Sequence, residues 1–536
     1  MKRVVVVGHG MVGARFVEEV RRRDPDGTRV RLTVLGAEPR PAYNRVLLST
    51  VLAGGLSPEA VQLHPGGWAA RQRVDLRTGV PAVRVDRRAR LVHTADGAAE
   101  PYDHLVLATG SRAWLPPVPG LAGEDGGPGE GIAVFRDLAD CERILALARP
   151  GARFAVLGGG LLGCEAARGL AGRGVRVTLL HPHAHLMERQ LDAGAGAVLA
   201  GVLRGLGVEL RFGVRAVAVE PGRGIHLTRA DAVPDPVSGT VGEAGQADAG
   251  TAGRPAGGAP GITARPCPGE GTELVPVDAV VVAAGVRPET ALAAEAGIAV
   301  GRGVRIDDRL TTSDPRVHAL GDCAQHPGTV AGLVQPGWEQ AAVLADLLTG
   351  ADPDARYRGT ATVTRLKARD IDLTAVGDRP VADEPGTEVL RLSDPARGRY
   401  AALALRDDRV VGGTMIGLPE AAASMVQYFD TGGPAPSDRL ALLLGRALPP
   451  GATPAADPGH LPAAAVVCRC NTVTKGALVG AWRAGATDPG ALCRATRAGT
   501  GCGSCRDAVA GICDWLERAD PPASDPVAVV LKEGAA

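Results

Sequence analysis

No apolar stretch of about 18–20 residues runs uninterrupted through this sequence, so a membrane-spanning helix is not expected. Net charge is missing as well: 59 basic residues balance 59 acidic ones over 536 positions, leaving no positive field to recruit nucleic acid or an anionic membrane. Partners are expected to be small molecules or specific proteins. Lysine is nearly absent, occurring at Lys2, Lys367, Lys475 and Lys532 while arginine is abundant, a bias attributed to GC-rich coding rather than to function. The N-terminal MKRVVVVGHGMVG starts basic and apolar, but the run is short and breaks into glycines without a small-residue cleavage site. It reads as a first β-strand, and a cytoplasmic location is expected. In such a reducing compartment the ten cysteines, where they cluster, point to metal or redox chemistry rather than to disulfides.

The chain is too long for one hydrophobic core and suggests about three or four domains. Apolar runs at RVVVVG, RVRLTVLG and HLVLATG alternate with helical patterns, as in a parallel sheet covered on both faces. The design recurs from RFAVLGGG through GVRVTLLH to DAVVVAAG, so the predicted fold class is α/β with two Rossmann-like units in tandem. Residues 230–273 are rich in Ala, Gly, Pro and Thr, which predicts a disordered insertion in a surface hairpin with Cys267 incidental to it. Strand-like alternation over 355–445, with a turn at Asp407 and Asp408 and a helix over PEAAASMVQYF, predicts a small α+β domain. A proline-rich linker at 446–463 leads to a cysteine module at 464–515.

Gly8, Gly10 and Gly13 form a GxGxxG between a strand and an amphipathic helix. In that setting the glycines permit a tight turn and close approach of a pyrophosphate to the helix N-terminus. Glu38 falls just after the second strand, where a carboxylate can bind the ribose hydroxyls of an adenosine. Gly158, Gly160 and Gly163 repeat the pattern, but the partner strand ends at His181 with no acid at its tip, leaving NADH and NADPH both open. Glu165, two residues into the following helix, is placed either near a nicotinamide or on a plain helix surface.

Three further stretches, LVLATGSR (105–112), VVVAAGVRP (280–288) and HALGDCA (318–324), complete an arrangement that resembles the FAD/NAD(P) pyridine-nucleotide reductase family over about 1–350. The resemblance implies that Gly8, Gly10, Gly13, Glu38, Gly110 and Asp322 bind FAD in a discontinuous domain of residues 1–145 and 285–350. It implies equally that Gly158, Gly160 and Gly163 bind the nicotinamide nucleotide in a domain at 146–284, with Gly285, the first residue past it, also cofactor-binding. The helix suggested by residues 336–348 would point its N-terminus at the flavin, and Cys323 reads as a buried small residue. Disulfide reductases of this fold need a cysteine pair beside the flavin. Residues 41–55 hold no cysteine, so electrons are expected to leave by another route.

Cys468-x-Cys470 and Cys502-x2-Cys505 offer four thiolates, enough for a [2Fe-2S] cluster or a tetrahedral zinc. The C-x-C spacing, the glycines Gly499, Gly501 and Gly503, and a two-electron flavin that needs a one-electron outlet all favour the cluster. CRCNTVTKGAL with AGTGCGSC resembles the bacterioferritin-associated-ferredoxin-like [2Fe-2S] domain. That likeness implies Cys468, Cys470, Cys502 and Cys505 as ligands and leaves Cys493 and Cys513 as core thiols.

RPAYNRVLLS (40–49) and LMERQLD (186–192) resemble the N-terminal half of assimilatory NAD(P)H nitrite reductase large subunits, in which a basic residue lies close to the flavin at the position of Arg45. Roughly twenty residues follow Cys513, too few for sirohaem and [4Fe-4S] domains. The domain order is similar to the electron-transfer subunit of assimilatory nitrate reductase. The expectation is therefore an NAD(P)H-dependent flavoprotein passing electrons to a nitrate reductase catalytic subunit. A nitrite reductase, ferredoxin or rubredoxin as acceptor, or a flavin reductase with a zinc or iron docking module, are the alternatives.

Overall fold

The computed structural model describes residues 1–232, 272–446, 458–468, 473–499 and 505–521. Almost all of the expected insertion at 230–273 lies outside these residues, as do Cys470, Cys502, Gly501 and Gly503.

The valine run of the first strand, Lys2–Val7, is buried from Val4 onward because it lies mid-sheet and is covered on both faces. Its sheet is parallel throughout, in the order Val317–Ala319, His104–Leu107, Lys2–Val7, Val30–Gly36, Val74–Thr78. The strand Val317–Ala319 enters this sheet from far along the chain. It brings residues 321–322 to the same edge as the first glycine turn. Helices Met11–Arg23 and Val334–Thr349 pack together beneath that edge.

A second parallel sheet runs Val208–Phe212, Arg176–His181, Arg153–Leu157, Ala279–Val282, Ile132–Val134. The antiparallel strands Val214–Glu220, Gly224–Arg229 and Glu273–Val275 form an appended sheet beside it, and residues 233–271 fall between the last two.

The third sheet is antiparallel, ordered Val363–Arg365, Leu373–Val376, Arg409–Ile416, Arg399–Arg406, Glu388–Asp394. Asp407 and Asp408 close its tight hairpin, both at positive φ (49° and 59°), the geometry a two-residue turn between twisted strands demands. Helix Pro419–Thr431 starts on a proline and stops at Gly432 with φ 59°, burying Met425 and Tyr428 against the sheet.

In the last module a short hairpin, Val466–Cys468 with Val473–Thr474, precedes helices Lys475–Arg483, Pro489–Thr496 and Arg506–Ala519. Leu478, Trp482, Leu492, Val509 and Leu516 form its core, with Cys468 and Cys505 among them.

Candidate functional site

The first glycine turn follows from packing. Gly8 adopts φ 109°, and a Cβ there would stand 2.1 Å from the Ala108 carbonyl oxygen; a Cβ on Gly13 would stand 2.1 Å from the Gly8 oxygen. Gly10 is different. It caps helix Met11–Arg23 without a side-chain hydrogen bond, and the nearest atom to a Cβ on it is Arg45 Nε at 4.0 Å. Uncapped N–H groups with open approach are what a pyrophosphate requires. Beside them His9 Nδ1 is buried with no hydrogen-bond partner among the described residues, and burial lowers this imidazole to about 4. The turn therefore fits a dinucleotide.

Glu38 sits two residues past the strand Val30–Gly36, where it accepts a hydrogen bond from Tyr43 Oη at 2.7 Å and pairs with Arg45. The Arg45 guanidinium lies over the Tyr43 ring, 4.9 Å from its centroid. Burial works against its charge, but Tyr43 and Glu38 outweigh it and raise the Arg45 pKa. Arg45 is thus a permanent cation between the first glycine turn and Glu38.

On the far side of the same unit Asp322 Oδ2 accepts from Ser111 Oγ at 3.0 Å and from Arg136 Nη2 at 2.7 Å. Gly110 precedes Ser111 at φ 72°, and Gly321 at φ 71° donates its N–H to Gln340 Oε1 at 2.8 Å. A Cβ on Gly337 would meet Val12 Cγ2 at 2.5 Å, so the helix Val334–Thr349 rests directly on helix Met11–Arg23. Cys323 is fully buried, and burial raises its thiol pKa, which keeps it protonated.

The second turn repeats the first. Gly158 has φ 110°, with a Cβ placed 2.5 Å from the Ala283 oxygen, and a Cβ on Gly163 would lie 1.8 Å from the Gly158 oxygen. Gly160 caps helix Leu161–Ala171 with no side-chain bond, and a Cβ there meets nothing within 4 Å. Gly285 follows the strand Ala279–Val282 at φ 109°.

At the tip of Arg176–His181, His181 Nδ1 accepts the Gly159 N–H at 3.0 Å while its Nε2 lies 3.2 Å from Glu188 Oε2. Burial acts to raise the Glu188 carboxyl, yet His181, then its own backbone N–H, then the charge of His183 bring it down to about 2. A carboxylate therefore does stand at this strand tip, supplied from the LMERQLD stretch rather than from the strand itself.

Glu165 is not on the surface. Its Oε1 accepts the Lys367 backbone N–H at 2.7 Å, and Ser49 Oγ donates to the Lys367 carbonyl at 3.0 Å. Burial raises the Glu165 carboxyl to about 7. Three units meet at this carboxyl. Beside it opens a cleft of about 390 Å³, lined by Leu47, Thr50, Arg365, Lys367, Asp372 and Arg506 among others.

In the cysteine module Cys468 and Cys505 are buried, and the Gly499 N–H donates to Cys505 Sγ at 3.1 Å. Such a bond stabilises a ligating thiolate and suits a cluster sulfur. Cys493 and Cys513 have thiol pKa values raised by burial, as expected of core thiols.

With this geometry in view, residues 2–343 match the pyridine nucleotide-disulphide oxidoreductase family. The chain belongs to that family. Residues 363–428 match the rubredoxin NAD+ reductase C-terminal domain, and residues 466–515 match the BFD-like [2Fe-2S] binding domain. These assign FAD, a nicotinamide nucleotide and a [2Fe-2S] cluster to this oxidoreductase.

The chain is similar to the nitrite reductase [NAD(P)H] of Bacillus subtilis (strain 168), 31% identical over 95% of this chain and 57% of that protein. It is similar also to the assimilatory nitrate reductase electron transfer subunit of the same organism, 30% identical over 98% of this chain and 61% of that one. It spans less than two thirds of the length of either relative. The crystal structure of the covalent putidaredoxin reductase–putidaredoxin complex shares the fold, with a TM-score of 0.64 at 24% identity, covering 82% of this chain and 93% of that one.

Proposed function

We propose that this oxidoreductase draws electrons from a nicotinamide nucleotide and delivers them singly to a separate redox protein, with the catalytic subunit of an assimilatory nitrate reductase as the favoured acceptor. FAD when bound takes two electrons from the nucleotide, and the [2Fe-2S] cluster carries one at a time. The observation that supports this reading most is the pairing, on one chain, of two dinucleotide turns with a buried Cys505 whose sulfur accepts an N–H.

In this reading Gly8, Gly10, Gly13, Glu38, Arg45, Gly110 and Asp322 hold FAD. Gly158, Gly160, Gly163 and Gly285 hold the nucleotide, with Glu165 at the junction where the two meet. Arg45 acts by neutralising phosphate, and Asp322, oriented by Ser111 and Arg136, accepts from the hydroxyls of the ribityl chain. Cys468, Cys470, Cys502 and Cys505 hold the cluster, with Cys470 and Cys502 outside the described residues. The domain limits proposed are 1–145 with 285–350, 146–284, 355–445 and 464–515.

The alignment with a nitrite reductase over 95% of this chain favours one other acceptor, a nitrite reductase protein. Purified chain mixed with either catalytic protein and NADH or NADPH tests the choice. Nucleotide-dependent reduction of nitrate supports the first acceptor, whereas reduction of nitrite alone overturns it in favour of the second.

A further inference from the structure

The cysteine module does not hang free of the flavin unit. Arg497 of the module reaches Glu18 on helix Met11–Arg23, the helix that begins at the first glycine turn. Both side chains are largely buried, 23% and 13% exposed. Glu18 is held from behind by His64, which stacks on Trp68 with ring centroids 3.7 Å apart and planes 8° from parallel.

One turn before Glu18, Arg15 lies over Trp338, 5.7 Å from the ring centroid, and pairs with Glu19 at 2.8 Å. Burial is the main influence on Arg15 and lowers its pKa. Arg497 occupies a left-handed position, φ 67°, at the end of helix Pro489–Thr496. That conformation favours glycine, so an arginine there is a structural concession that its side chain explains. Arg506, at the other end of the cysteine-bearing stretch, walls the cleft with Leu47 and Thr50 of the flavin unit. The module thus meets the flavin unit on both sides of its ligand segment.

We infer that Glu18 and Arg497 are positioning residues that seat the cysteine module on helix Met11–Arg23, and that this seat is the internal electron-transfer contact of the protein. The inference rests on the proposed function. Each nucleotide oxidised surrenders two electrons, which cross the seat in two single transfers, the proton passing to solvent. A like-charged substitution on either side would open the seat by repulsion, and exchanging the two charges would close it again.

The test uses the holoprotein under anaerobic conditions, with NADH mixed in stopped flow and freeze-quenched samples read by electron paramagnetic resonance. In E18R and R497E, flavin bleaching is expected within about twofold of the parent, cluster reduction at least about tenfold slower, and E18R more extended by small-angle X-ray scattering. The double variant E18R/R497E is expected to recover cluster reduction to within about threefold. R497G removes the charge at a backbone position that glycine favours, so it keeps the fold while slowing cluster reduction.

Parental cluster reduction in R497G, failure of the exchanged pair to recover, or an unchanged scattering profile in E18R each overturns the seat. A parent protein that bleaches its flavin but never reduces its cluster overturns the proposed function instead.

Discussion

Glu165 Oε1 accepts the backbone N–H of Lys367 at 2.7 Å, a bond that ties helix Leu161–Ala171 to the edge of the third sheet. Because burial raises this carboxyl from 4.5 to about 7, the folded protein binds a proton there that the unfolded chain has released. Stability from this group is full below about pH 4.5 and is lost as pH rises through 7, an upper bound of about 3 kcal/mol. Glu165→Gln should flatten that slope, read as urea midpoints between pH 5 and 8. An unchanged slope would show that the carboxyl is already ionised in the fold.

Two glycines of one turn should behave oppositely. A Cβ on Gly163 would sit 1.8 Å from the Gly158 oxygen, so Gly163→Ala must displace backbone and should cost about 1–3 kcal/mol or more. Gly160 has open space and an ordinary φ of −78°, so Gly160→Ala should leave stability within about 0.5 kcal/mol. Yet its methyl would stand where a pyrophosphate approaches, and KM for the nucleotide should rise at least about tenfold. Equal KM in Gly160→Ala and parent would remove this turn from nucleotide binding.

Arg45 is the cation nearest Gly10 and the partner of Glu38. Losing a charge-assisted contact of this kind costs roughly 1.5–3 kcal/mol, so Arg45→Ala should weaken FAD binding about 10- to 100-fold. Flavin fluorescence during reconstitution of the flavin-free protein measures it. The nucleotide KM should stay as in the parent, since among the described residues the polar partners of Arg45 are Glu38 and Arg136, away from the second turn.

Cys505 and Cys493 share one small core but differ in what they accept. Cys505 Sγ takes the Gly499 N–H, whereas Cys493 has its thiol pKa raised by burial. Cys505→Ser should abolish the iron signal and lower the melting temperature of the module, because cluster binding is folding energy there. Cys493→Ser should keep full iron content. Iron retained in the first variant or lost in the second would reassign the ligands.

What could be read ahead of the structure was what is contiguous in the chain. Both glycine turns, the acid at Glu38 and the Asp407–Asp408 hairpin each need only a strand, a turn and the next element, and the residues carry that pattern themselves. The rest of the site joins distant positions. Arg136 meets Asp322 across 186 residues and Glu165 meets Lys367 across 202, separations at which periodicity holds no information. Glu188 shows the same limit on a smaller scale. The strand tip itself lacks an acid, but a later turn folds one back against His181. Glu165 could be read either way from the sequence, since two positions into a helix is as often exposed as buried. Only the arrival of the third sheet decides it.

The internal route from nucleotide to iron–sulphur module is open to direct measurement. It is tested most directly by anaerobic titration of the purified holoprotein with NADH, and separately NADPH, followed by visible absorption and electron paramagnetic resonance. Flavin bleaching followed by a [2Fe-2S] signal accounting for one cluster per chain is expected. Flavin bleaching with no iron signal, and zinc found by metal analysis, would contradict it.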